Sequence, residues 1–163
     1  MRHTIAVIVE NNPGALTRIS GMFSRRSFNI DSLSVGATDH PDYSRMTICV
    51  HGDEEVLEQV IKQLSKLINV IRVSLLEPEE SVERELALIK VNADKNSRSE
   101  IMQLISVFRA KIIDVAPRSM VIEVTGDEKK VDAMVRLLRQ FGIKEMARTG
   151  RVSMVRGTKV VKV

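Results

Sequence analysis

The residues best suited to chemistry lie in the turn Asn11-Asn12-Pro13-Gly14, which separates an apolar run from an amphipathic segment. Asn12 can cap a helix, Pro13 suits the first helical position, and Gly14 lets a ligand approach the backbone. The first N–H groups of a helix lack intrahelical acceptors, and the helix dipole adds partial positive charge. The turn therefore suits an anion such as an amino acid carboxylate, with the Asn11 side chain holding another polar group. An ordinary turn followed by a helix cap would give the same pattern.

A strand and a helix must flank this turn. Residues 4–9 form an apolar run rich in β-branched residues, which is typical of a buried strand. After the turn, Leu16, Ile19 and Phe23 recur at helical spacing and predict one apolar stripe. The turn is thus expected at a strand-to-helix junction.

The residues that follow complete one ferredoxin-like unit. Residues 28–38 alternate between apolar and polar with a slip near Asp31, which predicts a half-exposed strand with a bulge. Residues 45–51 and 70–76 predict two further strands, and Asp53 begins the helix between them. The order is βαββαβ, in which the second strand lies at a sheet edge.

The second half of the chain repeats this order. The junction Val50-His-Gly-Asp-Glu54 recurs 74 residues later as Val124-Thr-Gly-Asp-Glu128. Ser97 and Glu100 predict a capping box for the first helix of this half. The fold class expected is α+β, with two tandem ferredoxin-like βαββαβ modules. The loop 92–97 replaces the Asn-Asn-Pro-Gly turn here, so we do not expect the same ligand in the second module.

A proline among five acidic residues marks the boundary between the modules. The predicted domains are residues 1–77, a linker at 78–84, and residues 85–163 with a basic tail. No apolar run approaches the roughly 18 residues that a membrane helix needs. Met1 leads directly into a strand, and Cys49 is the single cysteine. These features predict a cytoplasmic protein with no signal peptide and no membrane association.

The net charge of +4 is concentrated at the end of the chain, where residues 144–163 carry six Lys or Arg against one Glu. Aromatic residues that would stack on bases are not interleaved with this tail. The tail is therefore expected to be a solvated edge or a docking segment for an acidic partner, and no nucleic acid partner is predicted.

No catalytic centre can be assembled from the sequence. His3, His40 and His51 lie in separate segments without the spacing of metal ligands, and neither a phosphate-binding loop nor a Cys-x-x-Cys motif occurs. We expect no catalytic residues and no metal site. A chain with a carboxylate site and no reaction machinery is interpreted as a sensor.

Several segments resemble a known family. The segment from Glu10 to Leu16 resembles the E-N-x-x-G-A-L/V turn of ACT domains, which are small βαββαβ modules that sense amino acids. More narrowly, an ordered set of segments resembles the small regulatory subunit of acetolactate (acetohydroxyacid) synthase. The set comprises residues 28–33 (FNIDSL), 44–48 (SRMTI), 71–73 (IRV), 82–86 (VEREL), 112–115 (IIDV) and 147–151 (ARTGR).

The resemblance implies that the N-terminal module is an ACT domain for effector binding and dimerisation. It also implies a non-catalytic subunit, in the biosynthesis of valine, leucine and isoleucine, that activates a large catalytic subunit and confers feedback inhibition by valine. Thiamine diphosphate, Mg²⁺ and FAD are expected on the large subunit, with no cofactor in this chain. The alternative is a free-standing ACT-domain amino-acid sensor or transcriptional regulator.

The resemblance further implies an effector site at the interface of two ACT domains in a homodimer. One chain supplies the turn after the first strand, and the other supplies its second strand. The residues that map to this site are Asn11, Gly14, Ala15, Leu16, Asn29 and Ile30. An edge strand in that position allows two copies to pair and to cover their unpaired backbone groups.

Overall fold

The first half of the chain folds as a four-stranded antiparallel sheet with two helices, as seen in a computed structural model that describes residues 1–161. Its elements are β1 (Arg2–Glu10), α1 (Ala15–Arg25), β2 (Ile30–Ala37), β3 (Tyr43–His51), α2 (Glu54–Ser65) and β4 (Val70–Leu76). The strand order is β2-β3-β1-β4. The predicted βαββαβ order is confirmed, and β2 lies at the edge of the sheet.

The apolar run of β1 is explained by burial on both faces of the sheet. Ile5, Val7 and Val9 belong to the core that α1 and α2 cover. Ala6 and Ile8 belong to the opposite face, yet they are 0% and 3% exposed. A strand that is buried on both sides needs apolar residues throughout, so it shows no alternation. The predicted bulge in β2 is also confirmed, because its register with β3 shifts between Ile30 and Ser32.

The second half repeats the topology. Its elements are β5 (Ser81–Asn92), α3 (Arg98–Val107), β6 (Lys111–Ala116), β7 (Ser119–Gly126), α4 (Glu128–Leu138) and β8 (Ile143–Arg148). The strand order is β6-β7-β5-β8, in which each strand has the position of its counterpart in the first sheet. This half has its own apolar core, built from alternate residues of β5 and β7 and the inner faces of α3 and α4.

The repeated Gly-Asp-Glu junction has the same structural role in both halves. The Asp53 carboxylate accepts a hydrogen bond from the Val56 amide at 2.9 Å, and Asp127 accepts one from the Lys130 amide at 2.9 Å. Each aspartate therefore caps a helix that follows a strand.

The capping box predicted at Ser97 and Glu100 is wrong. Ser97 precedes α3 but makes no side-chain cap. Asp94 organises this loop instead, since its Oδ1 accepts from the Asn96 and Ser97 amides at 2.9 and 2.8 Å and from Ser97 Oγ at 3.1 Å. These hydrogen bonds, those from Ser97 foremost, lower the pKa of the Asp94 carboxyl below its ordinary value of 3.8.

The boundary region differs from the predicted linker at 78–84. Pro78–Glu80 form a 3₁₀-helix, and Ser81 begins the long strand β5. The chain divides into one unit of residues 1–82 and another of residues 83–151. The described residues from Val152 onward, which were predicted as the tail of the second domain, belong with the first unit and include the strand β9 (Val152–Val155).

The basic end of the chain pairs with carboxylates and carbonyls of the chain itself. In the second unit, Arg148 contacts Glu85 and Asp132, and Arg151 contacts Glu83 and Glu128. In the first unit, the backbone N–H of Arg156 donates to the Glu80 carbonyl at 2.7 Å, and Arg156 Nε donates to the Ser81 carbonyl at 3.1 Å. Lys159 Nζ lies 4.0 Å from Glu80 Oε2. Lys162, which the sequence also assigned to the tail, lies outside the described residues.

Candidate functional site

The turn after β1 presents backbone N–H groups at the start of α1. Gly14 has φ of 91°, in the left-handed region, and immediately precedes the helix. The first intrahelical hydrogen bond runs from the Arg18 amide to the Gly14 carbonyl at 2.9 Å. The amides of Leu16 and Thr17 precede that bond, so they remain available to an anion.

The predicted cap at Asn12 and the predicted helical position of Pro13 are wrong. The Asn12 side chain donates to Glu10 Oε2 at 2.8 Å, and the Asn12 carbonyl accepts a bond from the Ala15 amide at 3.3 Å. The left-handed Gly14 makes Pro13 part of the turn and delays the helix to Ala15. Because no side chain of the turn caps α1, the first backbone N–H groups of this helix stay available to a ligand.

The surface around Gly14 is open. A Cβ atom built on Gly14 would meet no atom within 4 Å, and Leu16 is 45% exposed. Ala15 is buried beneath the turn at 4% exposed, where it anchors the start of the helix. No Asp or Glu occurs in the first turn of α1. The positive end of this helix therefore has no carboxylate of its own in that turn, and a small ligand can reach it.

Asn11 is directed to the loop between β2 and β3. Its Nδ2 donates to the Pro41 carbonyl at 3.3 Å, and its backbone N–H donates to the Asp42 carbonyl at 2.8 Å. Its side-chain oxygen remains an acceptor. Asn11 thus ties the turn to the neighbouring loop in addition to the ligand-holding role predicted from the sequence.

Asn29 and Ile30 lie at the other end of the same sheet. Ile30 is level with Val50 of β3, which pairs with His3 near the start of β1, whereas Glu10 at the end of β1 pairs with Tyr43. Along β1, the distance from the level of Ile30, at His3, to the level of the turn, at Glu10, is roughly 23 Å at the usual rise per residue. One chain therefore does not bring the six predicted site residues together.

Asn29 and Ile30 each contact other residues of the first unit. Asn29 Nδ2 donates to Asp31 Oδ1 at 3.0 Å, and Asp31 also lies 3.4 Å from Arg2 Nε. Ile30 is half-buried and packs against the core of the first unit. The Asn29 side chain is exposed.

Three residues that brace the turn were missed in the sequence. The Glu10 carboxylate accepts from Asn12 and, at 3.1 Å, from Asn69 Nδ2. Asn69 Oδ1 in turn accepts from Arg18 Nη1 at 2.7 Å, and its backbone carbonyl accepts from the Glu10 amide at 2.9 Å. Asn69 lies in the loop before β4, far in the sequence from the turn. The only sequence signal for this role is a polar Asn between apolar segments.

We expect Asn69→Ala to lower the free energy of unfolding by about 1–2 kcal/mol, since Asn69 is 9% exposed and its loss leaves polar partners unsatisfied. If valine binds at this turn, as the resemblance implies, the same change should weaken its binding several-fold, because the turn loses its brace. Urea unfolding and calorimetric titration would measure the two effects. Asn96→Ala, at an exposed asparagine of the second unit, is the control, and equal effects of both changes would contradict the bracing role.

Residues 1–161 contain no group of three His, Cys, Asp or Glu side chains that could hold a metal ion. His3 Nε2 lies 3.2 Å from the Gly52 carbonyl oxygen, and His40 lies beside Tyr43 with ring centroids 4.8 Å apart. Among the same residues, no helix has the length and apolar character that crossing a membrane requires.

Comparison with known proteins extends over both units. Residues 5–72 match the family described as the AHAS small subunit-like ACT domain, and residues 84–157 match the family described as the small subunit of acetolactate synthase. A probable acetolactate synthase small subunit of Archaeoglobus fulgidus is 61% identical over 159 residues, which cover 98% of this chain and 99% of that protein.

Two further similar proteins have the same description. The acetolactate synthase small subunit of Mycobacterium bovis is 53% identical over 155 residues, covering 95% of this chain and 92% of that protein. The crystal structure of the acetolactate synthase small subunit from Thermotoga maritima is 43% identical and matches with a TM-score of 0.91, covering 98% of this chain and 99% of that one. The chain therefore belongs to the family of acetolactate synthase small subunits.

Proposed function

We propose that this chain is a non-catalytic regulatory subunit that binds the large catalytic subunit of acetolactate synthase, raises its activity and makes it sensitive to feedback inhibition by valine. The family membership supports the partnership. The observation that carries the valine site is the uncapped start of α1 behind the left-handed Gly14. The thiamine diphosphate, Mg²⁺ and FAD of the reaction are assigned to the large subunit.

The turn suits the carboxylate of a free amino acid. The amides of Leu16 and Thr17 can donate to its oxygens, and hydrogen bonds to an ionised acceptor are stronger than those between neutral groups. The helix dipole favours the same charge. The exposed part of Leu16 offers apolar contact to a short branched side chain.

The other wall of the site is assigned to Asn29 and Ile30 of the partner subunit in a homodimer. If two β2 edges pair antiparallel about a two-fold axis, the start of one β2 lies beside the end of the other. The end of β2 is at the same end of the sheet as the turn, because Ala37 pairs with Ser44 and Val9 also pairs with Ser44. Pairing of β2 edges therefore joins the two groups of residues that a single chain separates.

Feedback inhibition requires that valine bind the inhibited assembly more tightly than the active one, because equal affinities would shift no population. A ligand bound between two subunits has different affinities for the two assemblies when the interface between the subunits differs between them. Discrimination of valine from leucine rests on one methylene, worth roughly 1 kcal/mol, so we expect modest selectivity.

Reconstitution with the catalytic subunit tests the proposal. We expect the purified catalytic subunit to gain activity on addition of this chain, and the reconstituted enzyme to lose activity as valine is added. The catalytic subunit assayed alone should respond weakly to valine, which is the control. A stable complex whose activity ignores valine would contradict the sensing role, and failure to form a complex would contradict the partnership.

The alternative of a transcriptional regulator that acts through its basic tail has less support. Arg148, Arg151 and Arg156 already bond to carboxylates or carbonyls of this chain, so fewer of their N–H groups are available to DNA phosphates. Affinity capture in low salt distinguishes the two functions, since recovery of DNA favours the regulator and recovery of a large thiamine-dependent enzyme favours the subunit.

A further inference from the structure

The first unit contains a cavity that is separate from the turn at Gly14. Its volume is about 530 Å³, within the range of small-molecule sites. Aliphatic walls come from β1 and from the returning C-terminal segment, with Ile8, Met154 and Val160 among them. The loop between β2 and β3 supplies polar groups, including Asp39 and His40. None of these residues belongs to the predicted effector site.

Arg45 of β3 brings a partly buried positive charge to this cavity. Its Nη2 donates to the Ser153 carbonyl at 2.8 Å, and its Nη1 lies 3.5 Å from the Val161 carbonyl. Its Nε is buried and has no hydrogen-bond partner within residues 1–161. The partners that it does have are neutral carbonyls, so within the described residues no carboxylate forms a salt bridge with Arg45.

A guanidinium in this position is costly without an anion. Burial lowers the pKa of Arg45, which reflects the loss of hydration around its charge. A partly buried cation is unfavourable, so an anion that pairs with the Arg45 guanidinium gains binding energy that a solvated site would not provide.

We propose that this cavity binds a small monocarboxylate with a short apolar body, whose carboxylate pairs with Arg45 and whose body contacts the aliphatic wall. One guanidinium can balance one negative charge, and Asp39 on the same cavity disfavours a dianion such as phosphate. Nη1 and Nη2 of Arg45 each use one of their two N–H groups on backbone carbonyls, so a further N–H on either of them can donate to a carboxylate oxygen.

The loop that lines this cavity also touches the turn of the effector site. Asn11 bonds to the carbonyls of Pro41 and Asp42, and His40 Nδ1 accepts a bond from the Asp42 amide at 3.2 Å. The cavity is nevertheless a separate site, because its charge is Arg45 on β3 and not the start of α1.

Isovalerate is a suitable probe, since it is a branched monocarboxylate without the α-amino group of valine. Calorimetric titration of the full chain to about 20 mM should detect binding in the millimolar range that one charge-assisted hydrogen bond and a small apolar contact provide. Arg45→Gln should weaken it by about tenfold or more, and Arg25→Gln on the exposed surface of α1 should leave it unchanged. Inorganic phosphate should bind more weakly than isovalerate.

Two further variants keep the test informative if Arg45→Gln fails to fold. Met154→Glu places a carboxylate on the wall at a position that is 58% exposed, and it should abolish isovalerate binding, whereas Met102→Glu on α3 should not. Asp39→Asn removes a negative charge from the cavity and should tighten binding about two- to fivefold.

The outcomes separate this site from the proposed valine site. Gly14→Asp should leave isovalerate binding intact. Loss of isovalerate binding in Gly14→Asp, retention of full affinity in both Arg45→Gln and Met154→Glu, or no detectable binding by the parent chain would each overturn the cavity proposal. None of these results depends on whether valine binds at the turn.

Discussion

Gly14→Asp is expected to abolish valine binding while the fold survives. The new carboxylate would lie where the ligand's carboxylate meets the amides of α1, and two such charges about 4 Å apart repel by about 4 kcal/mol at an effective dielectric near 20. Affinity should therefore fall about 100-fold or more. The fold should tolerate the change, because a Cβ at Gly14 meets no atom within 4 Å and an acidic group suits a helix N-terminus. Calorimetry with valine, with thermal unfolding beside it, measures both.

Gly14→Asn is the matched control for this prediction. Asn has nearly the same shape as Asp and is the residue other than glycine that best tolerates positive φ, so both variants carry a similar backbone cost at φ of 91°. Only Asp adds charge. We expect Asn to lose much less affinity than Asp. Equal losses would mean that bulk or backbone strain, and not anion capture, causes the effect, and a Gly14→Asp chain that binds valine like the parent would rule out the site.

Val35→Lys is expected to dissociate the proposed homodimer and to remove valine binding with it. Val35 lies on the edge strand β2, is 45% exposed, and would approach its own copy if two β2 edges pair. Two lysines brought together across a two-fold axis repel, and they lose hydration, which costs several kcal/mol at an interface. The dimer dissociation constant should rise by about 100-fold. Analytical ultracentrifugation at several concentrations measures it.

The control for this change is Val107→Lys on α3, an apolar residue that is 77% exposed in the second unit. It adds the same charge to the same residue type, and we expect both dimerisation and valine binding to be unchanged. A Val35→Lys chain that remains dimeric would place the interface elsewhere. A monomeric Val35→Lys chain that still binds valine with full affinity would instead remove Asn29 and Ile30 of the partner subunit from the site.

Local patterns in the sequence were sufficient for most elements of the fold, although the strand β9 and the 3₁₀-helix at Pro78–Glu80 were missed. The run at residues 4–9 predicted β1, the slip near Asp31 predicted the bulge in β2, and Asp53 predicted a helix cap. Each of these depends on residues close together in the chain, whose backbone preferences and side-chain hydrogen bonds act locally. The turn at residues 11–14 was also found in the sequence, because Asn, Pro and Gly in succession are typical of a turn.

The contacts between distant segments required the tertiary structure. The return of residues 152–161 to the first unit is held by the hydrogen bond from Arg45 to the Ser153 carbonyl, which joins residues 108 positions apart and has no local signature. The brace of Glu10, Asn69 and Arg18 is equally non-local.

The sequence by itself thus determined the repeated βαββαβ order, the two cores and the position of the turn, since these follow from periodicity and short-range hydrogen bonding. The tertiary structure alone decided that Gly14 and not Asn12 precedes the helix, that the turn and Ile30 lie at opposite ends of one sheet, and that Arg45 faces a cavity without a carboxylate partner among the described residues. The physical reason is that sheet register and burial are set by pairing between segments far apart in the chain, and no window of neighbouring residues contains that information.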